Sequence, residues 1–357
     1  VDQLRFDAIR LARSPRIGPV TYRQLIARFG DASEALRALP DLAQRGGGKP
    51  RALADERLVA TEIQQAEALD AHYLIWGDAE YPVLLAETDD APPVMTYRGD
   101  LSLAERHCVA MVGARNSSAA ACRFARELAQ QLAREGVVVV SGLARGIDTS
   151  AHQGAGTKTI GVIASGIDIA YPPENAELQE RLAQAALLIA EQPPGTAPRA
   201  QLFPHRNRII AGLSLATIVV EAAPKSGSLI TARLAGEYGR EVLAIPGSPL
   251  DPRAQGCNQL IREGATLIQS ATDVMEAIAH IDPRNVRSPE TPYEAPVADI
   301  GEGERTALAA LLGPVAVPVD ELVRQSGMPA AVVQMALLEL ELAGCLERHI
   351  GGRVSLT

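Results

Sequence analysis

The stretch Cys108-Val-Ala-Met-Val-Gly-Ala-Arg-Asn-Ser-Ser118 decides the fold. Five apolar residues make the unbroken run expected of a strand covered on both faces. A Gly-Ala-Arg-Asn turn then leads into Ser117–Arg134, where Ala121, Ala125, Leu128 and Leu132 share one helical face. The same unit recurs along the chain. Strand cores are predicted at Cys108–Val112, Val137–Val140, Thr159–Ala164, Leu187–Ala190, Thr217–Glu221 and Glu241–Ile245, with a short one near Thr266–Ile268. Repeated β-α units with short connections imply an α/β fold, a doubly wound Rossmann-like parallel sheet. Its ligand is expected at the carboxyl ends of the strands.

Different patterns flank this region. Residues 1–100 read as short helices, a small helical domain with a connector. Two apolar-periodic segments surround the turn Arg16-Ile17-Gly18-Pro19, and Asp31 to Glu34 has the D-x-x-E form of a capping box. Such a turn suits a helix-hairpin-helix, whose amides hold a DNA phosphate, and equally an ordinary Gly-Pro turn. The sheet domain is expected over 101–281 and a proline-rich linker over 282–300, with Pro283, Pro289, Pro292 and Pro296. Residues 301–357 carry the outline of a winged helix. Its expected recognition helix, Pro329–Ala343, holds Glu339 and Glu341 but no Lys or Arg, so it is read as a protein-contact or dimer-supporting module.

Composition narrows the function. The net charge of −9 argues against a general affinity for nucleic acid. Yet Glu105–Glu276 is neutral, with 16 basic and 16 acidic residues, so the acidic excess lies in the flanks. The four cysteines form no C-x-x-C pair, which points to a reducing compartment and away from structural zinc. The first residues show no apolar signal region, and no run approaches a membrane span. A cytoplasmic protein without membrane contact is expected.

The predicted strand ends carry the candidate site. Gly113 permits a tight turn, Arg115 brings a charge, and Ser117 is placed to cap the next helix. Ser141-Gly142-Leu-Ala-Arg145-Gly146-Ile-Asp148 follows the second strand, with Asp148 at an expected N-cap. Lys225-Ser226-Gly227-Ser228 makes an amide nest before a helix. Phe203-Pro-His-Arg206-Asn207-Arg208 gathers donors, two fixed charges and an aromatic in a chain with only 3% aromatics. Arg206 and Arg208 diverge by about 200° on a regular helix. One is therefore expected to meet the ligand and the other to brace a carboxylate such as Glu221 or Asp148.

Each feature also has an architectural reading. Gly-rich turns occur throughout this fold class, Asp148 reads as a cap and His152 as a packed histidine. Convergence of four basic, small-residue loops on one sheet edge favours a phosphate site. A dinucleotide cofactor is not expected, because G-x-G-x-x-G is missing and Arg115 occupies its first turn. No Walker lysine motif, metal cluster or catalytic acid is apparent. The Ser226–Thr231 turn faintly resembles the loop of phosphoribohydrolases acting on nucleoside monophosphates, but no glutamate stands three residues past Thr231.

Seven ordered motifs carry a specific resemblance: G-A-R-N-S-S, S-G-L-A-R-G-I-D-x-x-A-H, Tyr171-Pro, F-P-x-R-N-R-I-I-A-G-L-S, V-V-E-A, S-G-S-L-I-T-A and P-G-S. In this order the chain resembles the DNA-processing protein A family (DprA, also called Smf). The resemblance implies that residues 1–100 are a sterile-alpha-motif-like helical domain. It also implies a non-catalytic, dimeric protein that binds single-stranded DNA, protects incoming strands and loads RecA in natural transformation or related recombination. Carried onto this sequence, it implies a pocket of Arg115, the Ser141–Asp148 loop, Phe203, Arg206, Asn207, Arg208, Lys225 and the Ser226–Ser228 nest. Phe203 is suited to stack on a base. The approach to it, 197–202, offers only Arg199 as a base. About four neutralised phosphates would give a slope of log K on log salt near −3. The alternative expectation is a nucleotide-binding enzyme related to the phosphoribohydrolases.

Overall fold

A computed structural model describes residues 2–47, 52–281, 300–349 and 351–357. The expected linker, 282–300, lies outside the described residues except at Ile300.

The chain opens with α1 (Gln3–Arg13), α2 (Pro19–Phe29), α3 (Ala32–Arg45) and α4 (Glu56–Ala68). Asp2 caps α1 by accepting from the Arg5 amide, and Asp31 caps α3 by accepting from the Glu34 amide at 2.9 Å. Pro19 occupies the first position of α2, where its missing N–H costs nothing.

The sheet domain follows as β1 (His72–Ile75), α5 (Val83–Ala86), β2 (Val94–Gly99), β3 (Cys108–Val112), α6 (Ala119–Arg134), β4 (Val138–Ser141), α7 (Ile147–Ala155), β5 (Thr159–Gly166), α8 (Ala176–Ala185), β6 (Leu187–Gln192), α9 (Leu202–Gly212), β7 (Ala216–Val219), α10 (Gly227–Glu237), β8 (Glu241–Ala244), α11 (Gln255–Arg262), β9 (Thr266–Leu267) and α12 (Ala271–Ile278). The strands form one nine-stranded sheet in the order β1-β2-β6-β5-β4-β3-β7-β8-β9. From β6 through β9 all neighbours are parallel, whereas β2 pairs antiparallel with both β6 and β1.

Two strands of this sheet therefore lie within residues 1–100, a stretch expected to be helical. His72-Tyr-Leu-Ile buries three of its four residues, and β2 is buried only in its first half. Such short edge segments lack the long apolar run that marks a doubly covered strand.

The core explains the layering. Ala125, Leu128, Ala129 and Leu132 of α6, with Ile147 and Ala151 of α7 and Val274 of α12, pack on Val109, Met111 and Val139. On the other face α9 and α10 pack against each other and on β5 and β7, with Ala211, Leu234 and Ala235 fully buried. The sheet order reverses direction between β3 and β7, and a doubly wound sheet opens its crevice at such a point.

The chain ends with α13 (Glu302–Ala309), β10 (Val317–Pro318), α14 (Val319–Ser326), α15 (Ala330–Ala343), β11 (Leu346–His349) and β12 (Arg353–Leu356). The last helix and the paired strands build the winged helix. Together with the N-terminal helices they form one compact unit, Val1–Ile63 with Glu290–Thr357.

Within that unit the expected recognition helix packs on α3. The missing side chain at Gly46 matters here, because a Cβ would lie 2.6 Å from the Glu339 carbonyl carbon. Both acids of α15 are spent in these contacts. Glu339 pairs with Arg305 of α13 at 2.7 Å, and Glu341 accepts from Thr21 of α2 at 2.7 Å and from Arg348 of β11 at 2.8 Å. Gln24 donates to Gln334 at 2.8 Å. The protein surface that this helix meets is the chain's own N-terminal domain. At the hairpin, Arg16 lays its guanidinium beside Gly344, where a cation complements the carboxyl end of α15.

Among the described residues no helix is long and apolar enough to cross a membrane, and no group of three or more His, Cys, Asp or Glu is placed to hold a metal.

Candidate nucleic-acid interface

The loops after β3 and β4 meet at the carboxyl edge of the sheet. Gly113 fits there because a Cβ would lie 2.5 Å from Ile147. Gly146 has φ +78°, and a Cβ on it would lie 2.7 Å from the Ser117 hydroxyl. The Ala114 amide donates to the Glu221 carbonyl at 2.6 Å, tying the loop after β3 to the one after β7.

Two of the expected caps differ in the structure. Ser118, not Ser117, caps α6 by accepting from the Ala121 amide at 3.1 Å, while the Ser117 hydroxyl contacts the Cys122 thiol. The helix begins one residue later than expected. Gly146 holds the N-cap position of α7, so Asp148 lies inside the first turn. Its carboxylate reaches back to accept from the amides of Gly142 (3.1 Å) and Ala144 (3.3 Å), which shapes the loop from within. Burial raises the Asp148 carboxyl above its ordinary range, against the opposing pull of the Arg206 charge and the two amides. Glu221 is structural, accepting from the Ser118 amide at 2.7 Å.

Phe203, Arg206, Asn207 and Arg208 all lie on α9 rather than on a preceding loop. Pro204 falls in the first helical turn, where proline breaks no hydrogen bond. The helix sends the two arginines to different places. Arg208 is buried, pairs with Glu191 and donates to the Asp90 carbonyl, so the carboxylate it braces is Glu191 rather than Glu221 or Asp148. Burial works against the Arg208 charge, but Glu191 and Asp90 outweigh it and its pKa rises.

Arg206 is equally buried, at 6% exposure, yet it has no ion pair among the described residues and its Nε has no hydrogen-bond partner. Its guanidinium lies in the space left by Gly142, where a Cβ would overlap Nη1 and Cζ and come within 2.7 Å of Nη2. Burial lowers its pKa to about 10, with Asp148 opposing the shift and the charge of Arg115 adding to it. It remains a cation at neutral pH. A buried cation with unused donors is costly unless an anion completes it.

The neighbouring groups complete this edge. Arg115 is exposed, with its guanidinium carbon 5.0 Å from the centroid of Phe203. Tyr171, which follows β5, lies 5.6 Å from Phe203, centroid to centroid. Asn207 donates to the Gly227 carbonyl at 3.4 Å and so links α9 to the start of α10. There Lys225 is exposed with φ +66°, and the hydroxyls of Ser226 and Ser228 bond each other at 2.8 Å. No side chain caps α7, α9 or α10. The Ile147 and Thr149 amides of α7 donate to the Ala114 and Ala144 carbonyls and the Leu202 amide of α9 to the Arg199 carbonyl, whereas the Gly227 and Ser228 amides at the start of α10 have no acceptor among the described residues. Arg115, Arg206 and Lys225 are cations without a carboxylate partner among the described residues. Arg145 differs, being exposed and paired with Glu174.

Two expected contacts are committed elsewhere. The Ser141 side chain is fully buried and donates to the Met111 carbonyl at 2.7 Å. The Gly142 amide is held by Asp148. His152 is buried, with Nδ1 2.7 Å from the Thr159 hydroxyl, and burial with the nearby Arg206 charge lowers its pKa to about 3. Thr159 donates to the Val139 carbonyl, which makes His152 Nδ1 the donor to its hydroxyl.

Comparison with known proteins agrees with this layout. Residues 72–279 match the family model described as DNA recombination-mediator protein A. Residues 2–65 match a DprA-like N-terminal HHH domain and 290–352 a DprA winged helix domain. The chain is 32% identical to Protein Smf of Synechocystis, covering 94% of this chain and 95% of that one. It is 48% identical to DNA processing protein DprA of Streptococcus pneumoniae, over 55% of this chain and 70% of the relative. The X-ray structure of the Streptococcus pneumoniae DNA processing protein A superposes with a TM-score of 0.65 at 36% identity, covering 79% of this chain and 99% of that one. DNA processing protein A from Helicobacter pylori, whose structure was described for its single-stranded DNA binding mode, gives a TM-score of 0.54 at 30% identity, covering 58% and 95%.

Proposed function

The chain belongs to the DNA recombination-mediator protein A family, and from that premise we propose that it binds single-stranded DNA without turnover at the crevice between β3 and β7. The observation that carries this reading is Arg206, a buried cation with no ion pair among the described residues, flanked by the exposed cations Arg115 and Lys225. Successive phosphates of one strand would supply the missing anions, while the uncapped start of α10 contributes the Gly227 and Ser228 amides. The bound strand is then delivered to RecA, with the protein acting as a homodimer in the cytoplasm during transformation or related recombination. The family motifs support this extension.

A hydrolytic role has less support. Of the carboxylates at the site, Asp148 and Glu221 accept from backbone amides that shape its loops, and Glu174 pairs with Arg145. Each is thus engaged in holding the site's loops or cations rather than standing unpaired as the acid that nucleoside-monophosphate hydrolysis needs.

Fluorescence anisotropy with a labelled oligo-dT across a salt series tests the reading. Three unpaired cations predict a slope of log K on log salt of about −2, and release of Arg145 from Glu174 onto a phosphate would steepen it toward about −3. Salt-independent binding, or no binding, would overturn the proposal. RecA filament assembly on a strand coated with single-strand-binding protein tests the delivery step; no acceleration by this protein would reject it.

A further inference from the structure

Tyr171 is the only aromatic residue among the large hydrophobic side chains that stand exposed in the described residues, at 44% exposure. A solitary exposed tyrosine is ordinary on a protein surface. This one differs in how it is held. Before it, the Ile169 amide donates to the Gly166 carbonyl at 2.9 Å and the Ser165 hydroxyl donates to the Ile169 carbonyl at 2.7 Å. After it, the buried Asn175 donates to the Leu143 carbonyl at 2.8 Å and to the Thr149 hydroxyl at 2.9 Å. Both flanks are thus pinned, the second of them to the loop after β4. The ring packs on Phe203, which in turn carries Arg115. Phe203 itself is only partly exposed.

We infer that Tyr171 is the outer stacking surface of the site, receiving one unpaired nucleobase on its exposed ring with Phe203 as its support. The inference rests on the proposed binding of single-stranded DNA. It assigns to Tyr171 the contact with a base that the sequence suggested for Phe203. Pre-organisation favours it: a ring already fixed by its loop loses little entropy on stacking. The neighbouring Arg145–Glu174 pair places a cation near the Tyr171 phenol, within reach of the phosphate attached to such a base.

The test compares full-length wild type, Tyr171→Ala and Tyr171→Phe on two oligonucleotides of equal length, oligo-dT and an abasic analogue with the same phosphates. Tyr171→Ala is expected to lose about tenfold in affinity for oligo-dT, the scale of one base stacked on an aromatic, while Tyr171→Phe stays within about twofold of wild type. On the abasic strand all three proteins should bind alike. Unchanged affinity of Tyr171→Ala for oligo-dT, or an equal loss on the abasic strand, overturns the inference and leaves the binding reading intact. Failure of wild type to bind either strand overturns the binding reading, and this inference with it. Thermal unfolding of Tyr171→Ala at the wild-type temperature excludes a folding defect as the cause of any loss.

Discussion

Gly142→Ala isolates the role of Arg206 without touching its charge. Gly142 has an ordinary negative-φ backbone, so alanine is tolerated by the main chain, but its methyl group would occupy the space of the Arg206 guanidinium. The arginine must leave its buried seat. For a guanidinium that donates to a phosphate, losing a charge-assisted hydrogen bond costs about 1.5–3 kcal/mol, or roughly 10- to 150-fold in affinity. One phosphate contact fewer makes the salt slope shallower by about 0.7. Stability should change little, because restricting the unfolded chain gains about 0.4–1 kcal/mol against the local repacking. Anisotropy titrations of oligo-dT at several salt concentrations, paired with thermal unfolding, read all three quantities. Arg206→Ala should weaken binding similarly, and Gly142→Ala/Arg206→Ala should be no worse than the weaker single variant. Wild-type affinity and slope in Gly142→Ala would refute the assignment of Arg206 to a phosphate.

Three further outcomes follow from the same contacts. Arg208→Ala should destabilise the sheet domain by about 3–5 kcal/mol, seen as a lower melting temperature, because Glu191 is left without its buried partner; a melting temperature unchanged from wild type would count against the brace. His152 stays neutral when folded, so its contribution is complete above the ordinary histidine pKa of 6.5 and is lost as pH falls toward about 3. Between pH 7 and 5 this amounts to about 2 kcal/mol, and denaturant titrations of His152→Asn should show a correspondingly flatter pH dependence. Thr21→Val removes the donor to Glu341 and should loosen the packing of α15 on the N-terminal helices by about 1–3 kcal/mol. Faster amide exchange confined to α15 and α2 would report it, and wild-type protection would argue that the bond contributes nothing.

The parallel part of the sheet was legible because its main strands are nearly continuous apolar runs, and Cys108–Val112 was placed to the residue. His72–Ile75 escaped because four residues at an edge, following helical periodicity, carry too little pattern. At the site, the divergence of Arg206 and Arg208 was readable from helical geometry alone. The partner of Arg208 was not, since Glu191 lies 17 residues away on β6 and only the packing of α9 brings them together. A signal did exist: Glu191 interrupts the apolar end of a strand, where an acid needs a partner. The importance of Tyr171 was hidden for another reason. It was quoted only as part of a motif, and nothing in Ile-Asp-Ile-Ala-Tyr-Pro-Pro shows that the loop is tied down by Asn175 or that the ring rests on Phe203.

The packing of α15 on α3 bears on how the protein is made. The helix that covers α3 is synthesised only after the entire sheet domain, which lies between Arg45 at the end of α3 and Ala330 at the start of α15. At 5–20 residues per second the delay is on the order of 15 to 60 s. Throughout it, the side of α3 that meets α15, including Leu39 and Ala43 beside Leu342, waits without its cover. A chain that stops before Ala330 never acquires that cover. Truncation before Ala330, even where it spares every residue of the candidate site, would leave that apolar side of α3 open to chaperones and proteases.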